Sequence, residues 1–200
     1  MSATKFLNSM AAGWHRYIAG EYSPTLPVLA DGNRGMLQMD AGGRIRTEGK
    51  LHRVVTVPLV TTAGAYGAGD CIGGKITVAN AVRLPSLSGL LKSINLTLKS
   101  DNITATLKVA LFKADPSAST LTDNEAPSVH ANDLMKHIGS YSLGAQYTDL
   151  GSHSSFQLDG INKPFQLAGS SLYAALYLAT GTPTLGTTSD GEIAFGIEQD

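Results

Sequence analysis

A single cysteine, Cys71, in 200 residues excludes an intrachain disulfide and every zinc pattern built from several cysteines. The fold is therefore expected to need no oxidising compartment. Charge is also scarce: 16% of residues are charged, and 15 Lys+Arg against 16 Asp+Glu leave a formal charge of -1. No global field exists to draw in nucleic acid, an anionic membrane or a strongly charged substrate, so any binding is local and set by shape. No stretch approaches the roughly 18 apolar residues of a membrane-spanning helix. The first twenty residues, MSATKFLNSMAAGWHRYIAG, lack the apolar centre of a secretion signal because Asn8, Ser9, Gly13, His15 and Arg16 interrupt it. Synthesis and folding in a cytoplasm are expected.

What the chain does have is glycine, serine, threonine, alanine and leucine, a bias that suits strands joined by tight turns. The clearest strand is 105–112, where Ala105, Leu107, Val109 and Leu111 alternate with Thr106, Lys108 and Ala110. It runs into Ala114–Glu125, where Pro116 cannot donate to a ladder and Asp115, Ser117, Ser119, Thr122, Asp123 and Asn124 favour local backbone bonds, so a structured loop is expected. Alternation predicts further strands at 54–60, 75–84, 91–98, 140–143, 155–158, 165–167, 172–178 and 192–197. Leu134, Met135 and Ile138 at helical spacing predict one short helix over 130–138, capped by Asn132 or Asp133. So many short strands with almost no helix between them imply antiparallel pairing. The fold class is mainly β, an antiparallel β-sandwich of jelly-roll type with an extended N-terminal arm.

The arm is residues 1–50 and the sandwich 51–200. Phe6, Met10, Trp14, Tyr17 and Ile18 would share one face of a short helix, packed on its own domain or docked on a neighbouring subunit. Residues 21–50 hold Pro24, Pro27, the turn dipeptides Asp31-Gly32 and Gly42-Gly43, a short strand over 36–39 and little that fills a core. An extended segment that orders against something else is expected.

Motifs for chemistry are weak. Gly69–Ile76 matches the glycines and lysine of a phosphate loop, yet Ile76 stands where a hydroxyl is needed and a strand pattern follows, so a glycine-rich turn before a strand is expected. His130, Asp133 and His137 would offer a metal two imidazoles and a carboxylate on one helix face, but two surface histidines are commoner. Asp115, Asp123, Asn124 and Glu125 lack the spacing of a helix–loop–helix calcium site and are expected to stabilise turns. Cys71 has no evident base, and no Gly-x-Ser-x-Gly elbow exists. Arg34, Arg44 and Arg46 are interleaved with Asp31, Asp40 and Glu48 and carry no aromatic platform, which argues against nucleic acid. Neither catalysis, a cofactor nor a metal is expected.

An ordered set of short motifs nevertheless resembles a group of tailed-bacteriophage virion proteins. It comprises Tyr66-Gly-Ala-Gly-Asp70-Cys-Ile-Gly73-Gly74, Asn80–Arg83 with Ser88-Gly89, Leu111–Pro116, Ser119–Asn124, Asp133-Leu134 and Ile138-Gly139. Upstream, Asp31-Gly32, Met36–Asp40 and Gly43–Ile45 resemble the N-terminal arm of such proteins. The likeness spans residues 30–140 and is carried by order and spacing. It implies a non-enzymatic β-sandwich on the phage particle, foremost a cement or decoration protein on the capsid exterior, commonly a trimer. Its partners would be the major capsid protein and further copies of itself, with no nucleic acid and no membrane. The alternative is a tail, baseplate or head-fibre component acting as an adaptor or as a receptor- or glycan-binding module through Tyr141, Tyr147, Tyr173 and Tyr177. For the capsid reading the expected docking residues are Trp14, Tyr17 and Tyr22 as aromatic anchors, with Arg34, Arg44 and Arg46 pairing capsid carboxylates.

Overall fold

The computed structural model describes residues 38–39, 45–46, 51–83, 87–100, 103, 105–144, 148–149, 151, 153–186 and 190–199. The chain divides into two units, Met1–Gly49 and Lys50–Asp200. In the first, β1 (Gln38–Met39) pairs antiparallel with β2 (Ile45–Arg46), Gln38 opposite Arg46. The hairpin meets the strand expected over 36–39 in its second half.

The second unit holds β3 (Leu51–Leu59), β4 (Gly64–Ala65), β5 (Cys71–Val78), β6 (Ser88–Leu98), β7 (Thr106–Phe112), helix α1 (Ala131–Leu134), β8 (His137–Gly144), β9 (Thr148–Asp149), β10 (Ser154–Gln166), β11 (Leu172–Thr180), β12 (Thr184–Leu185) and β13 (Gly191–Gln199). One sheet runs β3-β13-β6-β10-β9 and the other β5-β11-β7-β8, while β12 and β4 form a small separate pair. The pairs nest: β3 with β13, β5 with β11, β6 with β10 and β7 with β8, all antiparallel. That nesting is a long antiparallel ribbon rolled on itself, and the second set of pairs, β13 with β6 and β11 with β7, closes the roll. Two sheets in this order are the jelly roll.

Alternation explains why the strands stack as they do. Leu91, Ile94, Leu96 and Leu98 of β6 and Ile193, Phe195 and Ile197 of β13 turn inward, and so do Leu107, Val109 and Leu111 of β7 with Leu172, Ala174, Leu176 and Leu178 of β11. Burial of these apolar faces against each other is the main stabilising term, worth about 25 cal/mol per Å² removed from water.

Four expectations are corrected. The strand expected over 75–84 begins at Cys71 and ends at Val78, because Asn80 takes a left-handed φ of 54°; Val82 is buried in the bend beyond it, outside any strand. Gly73 and Gly74 are therefore not a turn before the strand. They form a bulge inside it, at φ 75° and 64°, between the pairs Ile72–Leu176 and Lys75–Ala175. The separate strands expected at 155–158 and 165–167 are one strand, β10, broken only by a bulge between Asp159 and Lys163 where Gly160 and Asn162 have positive φ. The helix is shorter than expected, with His130 rather than Asn132 or Asp133 as its N-cap: His130 Nδ1 accepts from the Asn132 N–H at 3.1 Å. Its apolar residues are not the buried ones. Leu134 is 59% and Met135 82% exposed, whereas Asp133 is fully buried.

Candidate functional site: a roofed trough on the outer sheet face

The outward side chains of β5, β11, β7 and β8 come into register as rows across the sheet. Ala175 lies opposite Ala110, and Ala110 opposite Ser140, so three small side chains lie in line. The next row on one side carries Tyr177 opposite Lys108, and on the other Tyr173 opposite Phe112 and Phe112 opposite His137. Small residues flanked by large ones leave a trough. Phe112 and His137 pack edge to face along one wall, with ring centres 5.6 Å apart.

The 113–136 loop roofs it. Leu121, Pro127, Val129 and Leu134 line the upper side of a cavity of about 350 Å³. Leu121 joins Cys71, Phe112 and Ala175 in a small apolar cluster distinct from the main core.

Two carboxylates hold the roof. Asp123 Oδ2 accepts from the Thr62 N–H at 2.7 Å, the Thr62 hydroxyl at 3.0 Å and the Tyr66 hydroxyl at 2.8 Å, while its Oδ1 accepts from the Gly73 N–H at 2.6 Å. The glycine bulge permits this approach, since a Cβ on Gly74 would lie 3.0 Å from the Leu121 carbonyl oxygen. Backbone bonds complete the seam: Cys71 N–H donates to the Glu125 carbonyl, and Asn124 N–H to the Cys71 carbonyl, both at 2.9 Å. Asp133 ties the two limbs of the loop together. It accepts from the Ala118 N–H at 3.0 Å and the Ser119 hydroxyl at 2.7 Å, and pairs with Lys136 Nζ at 2.6 Å. Lys136 Nζ also donates to the Asp115 carbonyl oxygen at 2.6 Å.

The titration behaviour follows from these partners. The Lys136 bond, then the Ser119 hydroxyl, hold the Asp133 carboxyl down to about 2. A depressed carboxyl contributes stability that is full above its unfolded value, about 3.9, and lost as the pH falls through the folded one. The protection of the 115–136 amides, measured as exchange relative to the intrinsic rate at each pH, should therefore fall between pH 4 and pH 2. In Asp133→Asn that protection should be low at both ends of the window, with no step on top of the intrinsic pH dependence. Burial, then the Asp123 and Asp70 carboxylates, raise the Cys71 thiol to about 11. A fully buried thiol so protonated is no nucleophile, and a disulfide-exchange reagent should label Cys71 only at the rate at which the roof or the domain opens.

The other candidate residues of the sequence are placed as follows. His130 caps α1, His137 Nε2 meets the Ser140 hydroxyl at 3.0 Å, and Asp133 is held by Lys136, so the three do not converge on a metal. Among the described residues no three His, Cys, Asp or Glu side chains gather to hold one. Lys75 pairs with Asp115 at 2.8 Å across the outer face, not with a phosphate loop. Of the candidate glycan aromatics, Tyr141 packs against the main core while Tyr173 and Tyr177 lie on the outer face either side of Ala175; Tyr147 lies outside the described residues. The described three, Tyr141, Tyr173 and Tyr177, form no common platform. Among the arm residues, Trp14, Tyr17, Tyr22, Arg34 and Arg44 lie outside the described residues, and Arg46 is placed only by its backbone in β2. The trough itself was missed at the sequence level. Its signal was the pair of alanines, Ala110 and Ala175, at outward positions of two strong strands.

No family model and no curated protein matches the chain. Among solved structures, a chain of the X-ray structure of tomato aspermy virus is 14% identical, with 97% of this chain and 93% of that one covered at a TM-score of 0.37. A chain of the full particle of Israeli acute paralysis virus is 14% identical, with 86% and 82% covered at 0.32, and one of deformed wing virus carrying the GFP gene is 8% identical, with 88% and 89% covered at 0.35. Likeness this low adds nothing to the strand order, which alone carries the jelly roll. Among the described residues no helix is long and apolar enough to cross a membrane.

Proposed function

We propose that the protein is a non-enzymatic structural subunit of a tailed-phage virion, a cement or decoration protein that binds the major capsid protein on the outside of the head as a homo-oligomer, foremost a trimer. One observation carries the reading. The motifs that resemble phage virion proteins, scattered over 66–74, 111–124 and 133–139, meet in space: Tyr66 and Gly73 donate to Asp123, Cys71 pairs with Asp123, and Ser119 donates to Asp133. Their shared task is to fasten a loop over one sheet face. Residues that hold a surface in shape, with the one thiol protonated, Asp123 held by hydrogen-bond donors and Asp133 by donors and the Lys136 ion pair, suit attachment rather than turnover.

The jelly roll is compatible with this role without requiring it, since the fold also hosts lectins and enzymes. The first fifty residues supply the second contact: an arm that orders on binding, with Trp14, Tyr17 and Tyr22 as anchors and Arg34, Arg44 and Arg46 pairing carboxylates, adds avidity to a small domain. Particles assembled without the protein should lose infectivity or DNA at lower temperature than complete ones and regain resistance when it is added back. Equal heat resistance with and without it would count against a cement role, and glycan-array binding that fails in Tyr173→Ala or Tyr177→Ala would move the protein to the tail or fibre.

A further inference from the structure

We infer that the open edge of β3 is a joint between two copies of this chain, the two β3 strands pairing antiparallel across a two-fold axis at Val54. The joint goes beyond the virion reading and stands whether or not the chain also forms a trimer.

The two large sheets end in β3, β9, β5 and β8, and all of these edges but one are blocked. β5 is bulged at Gly73-Gly74 and covered at Cys71 by the 123–125 segment, through the Glu125 carbonyl and the Asn124 N–H. β8 shifts register against β7 toward both of its ends. β9 is a two-residue cap, and β10 behind it is broken by the bulge between Asp159 and Lys163. Bulges, short edge strands and covering loops are the devices by which sheets avoid pairing with other chains. β3 has none of them: it runs against β13 from Leu51 to Leu59 without a register shift, and no strand among the described residues lies on its other side.

The backbone of β3 is in phase for such a joint. Lys99 N–H donates to the Asp190 carbonyl at 2.7 Å, so even-numbered residues of β13 bond toward β6 and odd-numbered ones toward β3. Leu51, Arg53, Val55, Val57 and Leu59 therefore bond to β13, while the N–H and C=O groups of His52, Val54 and Thr56 point away from the sheet. Pro58, which has no N–H to offer, falls in the outward set and ends the open ladder there.

The side chains fit a second copy of the same strand. The first half of β3 carries His52 and Arg53, and the second half, Val54 to Leu59, is uncharged. Antiparallel pairing centred on Val54 sets His52 beside the partner subunit's Thr56 and Arg53 beside the partner subunit's Val55, so no like charges are opposed. Glu192, exposed one strand behind and opposite Pro58, adds a favourable charge toward the partner's basic half. Val54, 69% exposed in the single chain, would be covered by the partner subunit's Val54. Contact through one and the same edge is isologous and therefore two-fold, and the other edges of a second copy are closed off by their bulges and covers.

The test is light scattering and hydrogen exchange of the full chain, for wild type, Val54→Lys, Val54→Glu and an equal mixture of the two variants. Val54 is exposed, so each variant should keep the wild-type unfolding midpoint. Wild type should have the mass of an even number of chains, a dimer or paired trimers, with slow exchange at the Val54 and Thr56 amides. Either variant alone opposes like charges at the axis, and should weaken association about tenfold and free those amides. Raised salt should restore part of the loss. The mixture opposes unlike charges and should regain the wild-type mass. A wild type that is a monomer or an unpaired trimer, variants that keep the wild-type mass, or a mixture that stays apart would each overturn the joint. A monomer with those amides protected would assign the edge to the chain's own first fifty residues and overturn it too. The heat resistance of particles decides the virion reading separately, so either can fail while the other stands.

Discussion

Asp123→Ala is expected to lower stability by about 3 kcal/mol and to uncover Cys71. The carboxylate accepts two backbone N–H bonds and two hydroxyl bonds, and it spans 61 residues to Thr62 and 50 to Gly73. Hydrogen bonds to a charged acceptor are worth about 1.5–3 kcal/mol each, but those to Thr62 are solvent-exposed and the set is not additive, so the sum is well below four times that figure. Burial, with the Asp123 carboxylate adding to it, raises the Tyr66 phenol above its ordinary value, and the substitution should lower it while the larger cause, burial, stays. Asp123→Asn keeps one acceptor oxygen and should fall between the two. Thermal unfolding together with the rate of thiol labelling at Cys71 checks this. A stable variant whose thiol remains as slow as wild type would mean that the roof is held by backbone bonds and packing alone.

Phe195→Ala should cost about 4 kcal/mol, near 10 °C in melting temperature for a domain of this size. Phe195 is fully buried at the centre of β13, opposite Val55 of β3 and Ile94 of β6. The cost is lost transfer energy plus a cavity that flanking strands cannot close, because both are fixed by their own ladders. Phe195→Leu, which keeps much of the volume, should cost about 1 kcal/mol. Denaturant unfolding measures both. A loss below 1 kcal/mol for the alanine variant would show that the two sheets repack freely.

The contrast between these two positions explains what could be read from the sequence. Core strands announce themselves locally: Ala105, Leu107, Val109 and Leu111 were expected on one face, and all four are buried. The outer face of the same strand was legible only as its complement. Nothing near Ala110 or Phe112 in sequence says that a loop returns over them, because the contacts that bring it back join residues fifty or more apart. The short helix misled for a related reason. Leu134 and Met135 have helical spacing but face outward, since the buried member of α1 is Asp133, whose partners Ser119 and Lys136 offset the desolvation cost of its burial. Bulges were opaque as well. Gly73-Gly74 reads as a turn and β10 reads as two strands, 155–158 and 165–167, because residues that supply positive φ serve turns and bulges alike.

The claim that all of this serves attachment to a particle is tested most directly by reconstructing the virion with and without the protein. The difference density should be a jelly roll on the outer surface of the head. A difference confined to the tail, or no difference at all, would contradict the account.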